Sequence, residues 1–301
     1  MSARPYDADL VVVGAGPAGV AATLMAASLK LRAVVVEADR VGGALHRIGA
    51  VENVSGGWST GVELADALAA DLARLQAADR CTVVRGRAVA VRGHDDRAEV
   101  ALEDGRVLMA GAVVVATGVE TLTPHGVGWV TAPEEFSAPP LWRAAPDDLV
   151  GRTYVLGGDR PLGTWLRTHP QATRTLHVLH PAADDYKVVE IAGDERVRLV
   201  PVSRVAVTRS AYGGGWLVEV RDRSGGSTAY AATAVLGNLG NKPAVLPGLV
   251  SGQDAYCPPE LQHPRVRVAG DLRSAQYQRI ATAQGSGAEA VLANYYAEQR
   301  I

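Results

Sequence analysis

The start of the chain alternates between apolar and turn-forming segments in the order strand, turn, helix, strand. Leu10 to Val13 are continuously apolar, which is typical of a parallel strand buried on both faces. A glycine-containing turn follows, Ala18 to Leu29 predict a helix, and Ala33 to Val36 predict a second strand. This order predicts a βαβ unit with a parallel sheet, and therefore an α/β protein.

The same pattern recurs in the middle of the chain. Thr153 to Leu156 predict a strand, Leu162 to Arg167 a helix, and Leu176 to Leu179 the next strand. In both copies the second strand ends 23 residues after the first glycine of the turn, at Glu37 and at His180. An internal repeat of this kind predicts two dinucleotide-binding folds in one chain.

The turn of the first copy carries glycines at the spacing GxGxxG. Gly14 makes the tight turn, Gly16 lets a pyrophosphate approach the backbone, and Gly19 lets the helix pack closely on the strand. The N-terminus of the helix presents unpaired N–H groups to the phosphates. Glu37, at the end of the second strand, is placed to accept hydrogen bonds from ribose hydroxyls. These residues together predict a dinucleotide site.

The turn of the second copy differs where a ligand would touch it. Gly157 keeps the tight turn, but Asp159 brings a carboxylate to the position where a pyrophosphate would approach the backbone. His180 cannot act as the ribose-binding acid, and Asp184 and Asp185 would repel a 2′-phosphate. We therefore expect the second copy to keep the fold and to have lost the NADPH site.

The composition narrows the classes of function. A chain of 301 residues that is 48% hydrophobic and 21% charged predicts a globular protein long enough for two domains. The net charge of −2 gives no electrostatic case for nucleic acid or for an anionic membrane. Leu10 to Leu29 carry no charge, but the glycines and the proline in this segment argue against a membrane helix or a signal peptide. We expect a cytoplasmic protein.

The two cysteines do not form a redox or metal-binding motif. Cys81 and Cys257 are 176 positions apart, so neither a CxxC pair nor a metal-ligand spacing can be built from them. Cys81 is predicted to lie in a buried strand, and Cys257, before a pair of prolines, in an exposed loop. No metal site is predicted.

Three further segments carry a resemblance to a known family: GGALHRIGAVENVSGG from Gly42, VVVATG ending at Gly118, and AGDLRSAQYQRIATAQGSGAEAV from Ala269. With the two repeats, they resemble the low-molecular-weight thioredoxin reductases, which are FAD proteins of the pyridine-nucleotide disulfide oxidoreductase superfamily. The resemblance covers nearly the whole chain.

The resemblance implies two Rossmann-like dinucleotide-binding domains, doubly wound and three-layered, with the second inserted into the first. It places an FAD-binding domain at residues 1–120 and 242–301 and a degenerate NAD(P)H-binding-like domain at residues 121–241. It also implies a homodimer.

The resemblance further implies which residues contact FAD. The carboxylate of Asp271 would hold the ribityl chain, and the helix that begins near Gln278 would direct its N-terminal amides at the pyrimidine edge of the flavin. Asn53 would lie beside the isoalloxazine, where Ala44 replaces the usual glutamine. The residues expected to contact FAD are Gly14, Gly16, Pro17, Ala18, Gly19, Glu37, Ala38, Gly43, Ala44, Leu45, Asn53, Ala88, Ala116, Thr117, Gly118, Gly270, Asp271, Gln278, Arg279 and Ile280.

The departures from this family concern its redox chemistry. Pro140 and Arg143 stand at the positions of the two redox cysteines, and Ala144 replaces the acid that follows them. Pro181 and Ala182 replace the arginine pair that binds the 2′-phosphate of NADPH. Because disulfide reduction needs two thiols and a source of hydride, we expect that the protein is not a disulfide reductase.

We therefore expect an FAD-dependent oxidase or dehydrogenase that takes a hydride from a small organic substrate onto flavin N5, with O2 or a partner as the acceptor. The substrate is either free or tethered to a carrier protein, as in specialised metabolism. His46 is the candidate for proton transfer, and Arg47 beside it for binding a carboxylate. Trp142 and Arg143 are candidates for covering a substrate with a planar ring and a cation.

Other interpretations of these residues stay open. His46 also fits a polar group of a loop, and Trp142 with Arg143 also fits an ordinary contact between domains. A second interpretation of the protein is a reductase that still accepts NADH or NADPH through an altered site and passes electrons to a protein or to free flavin. A third interpretation is a non-catalytic FAD-bound scaffold or regulator.

Overall fold

Both halves of the chain are built from parallel strands and the helices that connect them. The computed structural model describes residues 7–149, 151–211 and 215–299, so the predicted domain ends at residues 1–6 and 300–301 lie outside the described residues. In chain order the strands are β1 (Ala8–Val13), β2 (Ala33–Glu37), β3 (Cys81–Arg85), β4 (Ala88–Gly93), β5 (Ala98–Leu102), β6 (Val107–Val115), β7 (Val119–Thr121), β8 (Val130–Thr131), β9 (Thr153–Leu156), β10 (Leu176–His180), β11 (Val197–Pro201), β12 (Arg204–Arg209), β13 (Trp216–Arg221), β14 (Ser227–Ala232), β15 (Ala234–Gly237), β16 (Asn241–Pro243) and β17 (Val266–Val268). The helices are α1 (Pro17–Ser28), α2 (Gly61–Ala77), α3 (Pro161–Thr168), α4 (Asp185–Val188) and α5 (Ile280–Gln299).

The described residues form two compact units. The first unit runs to Glu120 and resumes at Pro243, and the second unit spans Thr121–Lys242. The second unit is therefore formed by the chain that lies between the two segments of the first.

The first unit contains a seven-stranded sheet in the order β3-β2-β1-β6-β5-β4, with β17 paired to the last residues of β6. Strands β1, β2, β3, β6 and β17 run parallel, whereas β4 and β5 form an antiparallel meander with the start of β6. In register, Val13 lies opposite Val36 on one side and Val115 on the other. The carboxyl ends of three parallel strands therefore meet at one edge, which is where ligands bind in open α/β sheets.

Small side chains let α1 and α5 pack closely on one face of this sheet. Ala18 and Ala22 of α1 share an apolar cluster with Ala283 and Ala290 of α5. Gly287 of α5 lies so near the backbone of α1 that an added Cβ would clash with the carbonyl of Ala18. The helix layer therefore depends on the absence of side chains at this contact.

A second apolar cluster covers the opposite face of the sheet. It contains residues of β4, β5 and β17 together with Cys257 and Leu272. The sequence prediction that Cys257 is exposed is wrong, because its N–H donates to the carbonyl of Leu272 at 3.0 Å and its side chain is fully buried in this cluster. Cys81 lies in β3 and is buried, in agreement with its prediction.

The second unit has a parallel four-stranded sheet in the order β11-β10-β9-β15. One face of this sheet packs on α3 through residues that include Leu162 and Val178. The other face packs on a second sheet, β14-β13-β12-β8, through residues that include Leu179, Val205 and Val218. The predicted fold class, two Rossmann-like domains, is confirmed, and in the second unit a sheet rather than helices forms one outer layer.

Candidate functional site

The first glycine turn connects the carboxyl end of β1 to α1. Gly14 has a φ of +98°, a left-handed conformation that glycine adopts without strain. Its N–H donates to the carbonyl of Val36 at 2.8 Å, and the N–H of Ala116 donates to the carbonyl of Val13 at 2.8 Å. These two hydrogen bonds tie the turn to both neighbouring strands.

The N-terminus of α1 is open to an anion. Gly16 is the N-cap, Pro17 is the first helical residue, and no side chain caps the helix. A Cβ added to Gly16 would meet no atom within 4 Å, whereas one added to Gly19 would clash with the carbonyl of Gly14. Gly16 therefore faces empty space, and the N–H groups of Ala18 and Gly19 in the first turn suit a phosphate.

Glu37 closes the turn from the neighbouring strand. Its Oε2 accepts from the N–H of Ala15 at 2.6 Å and its Oε1 from the N–H of Asp39 at 2.8 Å. A carboxylate oxygen has lone pairs for a second donor, so Glu37 retains the capacity to accept ribose hydroxyls. Ala38 beside it is exposed, and Ala88 is buried at the start of β4.

The segment after β2 returns to the first turn. Gly42 donates its N–H to the carbonyl of Ala15 at 2.8 Å, and a Cβ added to Gly43 would lie 3.7 Å from the Cα of Gly16. A short 3₁₀ helix, Gly43–Arg47, follows, with Leu45 buried and Ala44 partly exposed. Gly43, the first of the residues Gly43 to Leu45 that are expected to contact FAD, therefore lies beside the first glycine turn.

Asn53, in contrast, is exposed and lies beyond this 3₁₀ helix. The structure gives no contact that joins Asn53 to the turn, so its role beside the flavin stays a prediction.

His46 and Arg47 lie together at the end of the same 3₁₀ helix. His46 Nε2 lies 2.8 Å from the carbonyl of Val41, so in the neutral ring Nε2 carries the proton and donates it. Nδ1 then keeps the lone pair that can accept a proton. Arg47 is half-buried, and burial lowers the pKa of its guanidinium from the ordinary value.

The segment after β6 faces the same edge of the sheet. Thr117 Oγ1 donates to the carbonyl of Ala244 at 2.7 Å, and Ala244 donates its N–H to the carbonyl of Gly118 at 3.0 Å. A Cβ added to Gly118 would meet no atom within 4 Å. Gly16 and Gly118 therefore both face open space at the carboxyl edge of the sheet.

The segment after β17 lines a cavity of about 390 Å³. Gly270 donates its N–H to Ser286 Oγ at 2.8 Å, which fixes the backbone next to Asp271. Among the described residues none donates a hydrogen bond to the Asp271 carboxylate, and burial raises its pKa to about 6, against a smaller lowering by Arg279. A mostly buried carboxylate without a donor suits the hydroxyls of a ligand.

Helix α5 begins within the short segment, Gln278 to Ile280, that the sequence indicates. It starts at Ile280, and the N–H of Ala283 donates to the carbonyl of Arg279 at 2.8 Å. The side chain of Gln278 donates instead to Ser274 O at 3.0 Å and to Tyr256 Oη at 3.3 Å. Gln278 therefore holds the loop in shape, and the free N-terminal amides belong to the residues from Ile280 onward.

The residues of the first unit fit FAD. The open glycine turn, Glu37, the open space at Gly118 and the donor-free carboxylate of Asp271 provide partners for pyrophosphate, ribose and ribityl hydroxyls. The described residues contain no group of three or more metal-ligating side chains and no helix long and apolar enough to span a membrane.

Trp142 and Arg143 belong to the second unit. They form a 3₁₀ turn, Leu141–Arg143, whose Leu141 is fully buried and whose Arg143 guanidinium lies 4.7 Å from the centre of the Trp142 ring. Trp165 Nε1 donates to the carbonyl of Ala144 at 2.8 Å and fastens the turn to α3. The planar ring and the cation thus stack on each other, and their role in covering a substrate stays a prediction.

The second glycine turn repeats the backbone of the first. Gly157 has a φ of +95°, and its N–H donates to the carbonyl of Leu179 at 2.9 Å, as that of Gly14 does to the second strand of its own unit. After β15, the N–H of Asn238 donates to the carbonyl of Leu156 at 2.7 Å, in the way that Ala116 pairs with β1. The two turns are therefore structural equivalents.

A cluster of two acids and one lysine lies on the second turn. Lys187 Nζ is 3.1 Å from Asp159 Oδ1 and 3.0 Å from Asp184 Oδ1, and Asp184 Oδ2 accepts from the N–H of Gly158 at 3.0 Å. Asn238 Nδ2 donates to the carbonyl of Asp159 at 2.7 Å. We call Asp159, Asp184 and Lys187 the acid–lysine cluster.

Sequence reasoning missed Lys187, Asn238 and Ser286. Lys187 carried the clearest signal, because it is one of three lysines among 30 basic residues and follows the Asp184–Asp185 pair closely. Asn238 follows β15 at the position that Ala116 has after β6, so the internal repeat extends to this residue as well.

Comparison with known proteins supports this assignment of the first unit. A family model for FAD-NAD(P)-binding proteins matches residues 61–120. A ferredoxin–NADP reductase from Nocardioides sp. is 32% identical over 254 residues, which cover 78% of this chain and 73% of that protein. One component of the alkyl hydroperoxide reductase of Staphylococcus aureus is 36% identical over 116 residues, which cover 38% of this chain and 22% of that protein.

The same fold occurs in solved thioredoxin reductases. The enzyme from Lactococcus lactis aligns with a TM-score of 0.75 at 16% identity, covering 98% of this chain and 100% of that one. The enzyme from T. acidophilum aligns with a TM-score of 0.72 at 20% identity, covering 97% and 99%. The chain therefore belongs to the thioredoxin reductase-like FAD flavoproteins of the pyridine nucleotide-disulfide oxidoreductase superfamily, and it is an FAD-dependent oxidoreductase.

Proposed function

We propose that this protein oxidises a small organic substrate directly at its FAD, without a redox-active dithiol and without a nicotinamide dinucleotide on its second unit. The observation that carries the proposal is the acid–lysine cluster, which lies on the turn where a dinucleotide would bind. The absence of a thiol between Pro140 and Ala145 supports it further.

The first unit supplies the residues that would hold FAD. The turn from Gly14 to Gly19 and the first amides of α1 suit the pyrophosphate, Glu37 the ribose, and Asp271 the ribityl chain. When bound, FAD would supply a two-electron acceptor for a hydride from the substrate, with O2 or a partner as the final acceptor; with O2 the product would be H2O2.

The 3₁₀ helix Gly43–Arg47 of the first unit supplies a candidate base. Because His46 Nε2 donates to the carbonyl of Val41, Nδ1 of the neutral ring is the atom that would accept the substrate proton. The guanidinium of Arg47, half-buried beside it, would attract a carboxylate on the substrate or on a carrier to which the substrate is tethered.

A screen of small organic acids, amines and alcohols tests this proposal. The holoprotein is mixed with each compound without oxygen, loss of the oxidised flavin band is followed, and H2O2 is measured after air is admitted. We expect at least one compound to bleach the flavin and to give one H2O2 per molecule oxidised. Failure of every compound, together with rapid bleaching by NADPH or NADH, would contradict the proposal.

A pair of histidine variants tests the role of His46 once a substrate is found. In His46→Gln the amide can still donate to Val41, but the variant has no base, so we expect flavin reduction to slow about 100-fold or more. His125→Gln is the matched control, because His125 Nε2 also lies near a backbone carbonyl, that of Pro133 at 3.0 Å. Equal rates for both variants would remove His46 from the mechanism.

A reductase is the second candidate function. It is favoured by the 32% identity to a protein named as a ferredoxin–NADP reductase. Such a protein would accept electrons from NADPH or NADH and pass them to a protein partner without a dithiol. The acid–lysine cluster counts against this candidate, since it lies at the nucleotide turn.

A further inference from the structure

The two glycine turns of this chain can be compared hydrogen bond by hydrogen bond. In the first, the N–H of Ala15 donates to Glu37 Oε2 at 2.6 Å, and in the second the N–H of Gly158 donates to Asp184 Oδ2 at 3.0 Å. Gly158 stands one residue after the first glycine of its turn, as Ala15 does. Asp184 therefore makes the contact of Glu37, although it comes from the segment after β10 and not from the end of the strand.

The space beside the turns differs between the two units. In the first unit a Cβ on Gly16 or on Gly118 would meet no atom within 4 Å. In the second unit the position of Gly16 is held by Asp159, and a Cβ on Gly240, which corresponds to Gly118, would lie 3.5 Å from the Asp159 carboxyl carbon. The carboxylate of Asp159 thus occupies the space that is open in the first unit.

The charges of the cluster hold this carboxylate in place. Burial alone would lower the pKa of Lys187, but attraction to Asp159 and Asp184 raises the pKa above its ordinary value, so the ammonium stays charged. The exposed fractions of the three side chains are only 17%, 10% and 19% for Asp159, Asp184 and Lys187. Two carboxylates against one ammonium leave a net negative charge where a pyrophosphate would have to lie.

The amides of the second turn are also less available. The N–H of Leu162 donates to the carbonyl of Asp159 at 3.2 Å, and that of Gly163 to the carbonyl of Arg160 at 3.0 Å. Leu162 replaces the third glycine and is fully buried. NADPH therefore does not fit the second turn as the structure has it.

On the basis of the function proposed above, we propose that Asp159, held in place by Lys187, excludes nicotinamide dinucleotides, and that Asp184 is a ribose-binding acid that makes the contact of Glu37. Removing the Asp159 side chain reopens the space beside the turn. The reopened site would favour the ribose of an NADH-type ligand over a 2′-phosphate, because Asp184 accepts hydroxyl donors and Lys187 stays paired with Asp184 at 3.0 Å.

Binding of ADP-ribose and of its 2′-phosphate tests this proposal without reducing the flavin. The FAD-loaded wild type, Asp159→Gly and Asp159→Asn are titrated with each ligand by calorimetry, and Asp147→Gly, an exposed aspartate of the same unit, is the matched control. We expect Asp159→Gly to bind ADP-ribose about tenfold or more tightly than the wild type, with a smaller gain for the 2′-phosphate. Asp159→Asn, which keeps the size of the side chain, gains less, and Asp147→Gly gains nothing.

The outcomes separate this proposal from the proposed function. If both Asp159 variants fold, as judged by circular dichroism, and neither gains affinity, the role of Asp159 is refuted while a substrate-driven oxidase still stands. An equal gain for the 2′-phosphate refutes the role of Asp184. Tight binding of either ligand by the wild type refutes the exclusion and, if NADPH or NADH also bleaches its flavin, the proposed function as well.

Discussion

At the scale of single residues, Asp271 links the stability of the protein to its cofactor. Its carboxylate is largely buried, and no described residue donates to it, so burial raises its pKa to about 6. A ribityl hydroxyl would supply the missing donor and would favour the ionised form. The residue is therefore unfavourable for the folded protein without FAD and favourable once FAD is bound.

Asp271 gives the FAD-free protein a defined pH dependence. Because its pKa rises from 3.8 to about 6 on folding, the buried carboxyl does not destabilise the folded protein below pH 3.8, and stability is lost as the pH rises through 6 and the group ionises. The loss corresponds to about 3 kcal/mol at most. We expect Asp271→Asn to raise the melting temperature of the FAD-free protein at pH 8 and to leave it nearly unchanged near pH 4. Thermal melts at both pH values check this, and a lower Tm of the variant at pH 8 would contradict it.

The same residue predicts how FAD binding depends on pH. If FAD prefers the ionised carboxylate, its affinity for the wild type falls as the pH drops below about 6, by up to about tenfold per pH unit. We expect Asp271→Asn to bind FAD more weakly at pH 8 and to show a flatter profile between pH 5 and 8. Equal affinities of variant and wild type at pH 8, measured by flavin fluorescence, would exclude Asp271 as the ribityl anchor.

The two cysteines are predicted to be inert in the folded protein. Both thiols are buried, and burial raises the pKa of Cys81 and of Cys257 above the ordinary value. We expect no rapid reaction with a disulfide reagent at pH 8 in the native state and two thiols after unfolding. We also expect flavin reduction by substrate to be the same in Cys81→Ala and Cys257→Ala, whereas loss of reduction with an unchanged Tm would point to a thiol mechanism.

At the scale of elements, the packing of α1 on α5 shapes the FAD site. Gly287 touches the backbone of α1 at Ala18 and is the next residue after Ser286, which holds the N–H of Gly270. We expect Gly287→Ala to destabilise the protein by about 1–3 kcal/mol, because the added methyl forces the two helices apart. We also expect FAD affinity to fall, and chemical unfolding and FAD titration measure the two effects.

Gly285 on the same helix provides the matched control. It is exposed, and an added Cβ would meet no atom within 4 Å. We expect Gly285→Ala to stabilise the protein by about 0.5–1 kcal/mol, since alanine has the higher helix propensity, and to leave FAD affinity unchanged. Similar effects of the two substitutions would mean that the contact between α1 and α5 does not control the site.

Elements with strong local signals are predictable from the sequence. The pattern predicts helix α1 at Ala18 to Leu29 and the helix is found at Pro17–Ser28, because the glycine turn and the apolar strands mark its ends. The first residues of helix α5 are expected near Gln278, Arg279 and Ile280, and the helix starts at the last of these because the side chain of Gln278 satisfies loop carbonyls instead. Such a competition between side chain and backbone is not visible in a residue pattern.

The chemistry of the second turn is predictable only in part. Asp159 alone is enough to predict that the turn has changed. Its pairing with Lys187 and the contact of Asp184 with Gly158 join positions 28 and 26 residues apart, through a segment whose pattern does not indicate where these side chains meet. Sequence periodicity therefore predicts the fold of this unit but not the cluster that fills its turn.

At the scale of the whole molecule, the same glycine turn occurs once in each unit, with open space beside it in the first unit and a filled space in the second. The first unit leaves the space beside its turn open for FAD, and the second fills the equivalent space with the carboxylate of Asp159. The molecule also lacks thiols at the positions of the family dithiol, Pro140 and Arg143. Both differences favour a mechanism in which an organic substrate, and not a nicotinamide nucleotide or a dithiol, donates electrons to the flavin.

The measurement that tests this account most directly is an anaerobic titration of the FAD-loaded protein with NADPH and then with NADH, while the oxidised flavin band is followed. We expect that neither nucleotide bleaches the flavin at micromolar concentration, while dithionite does and air then restores the band. Rapid bleaching of the wild type by either nucleotide would contradict a substrate-driven oxidase and would identify the protein as a reductase.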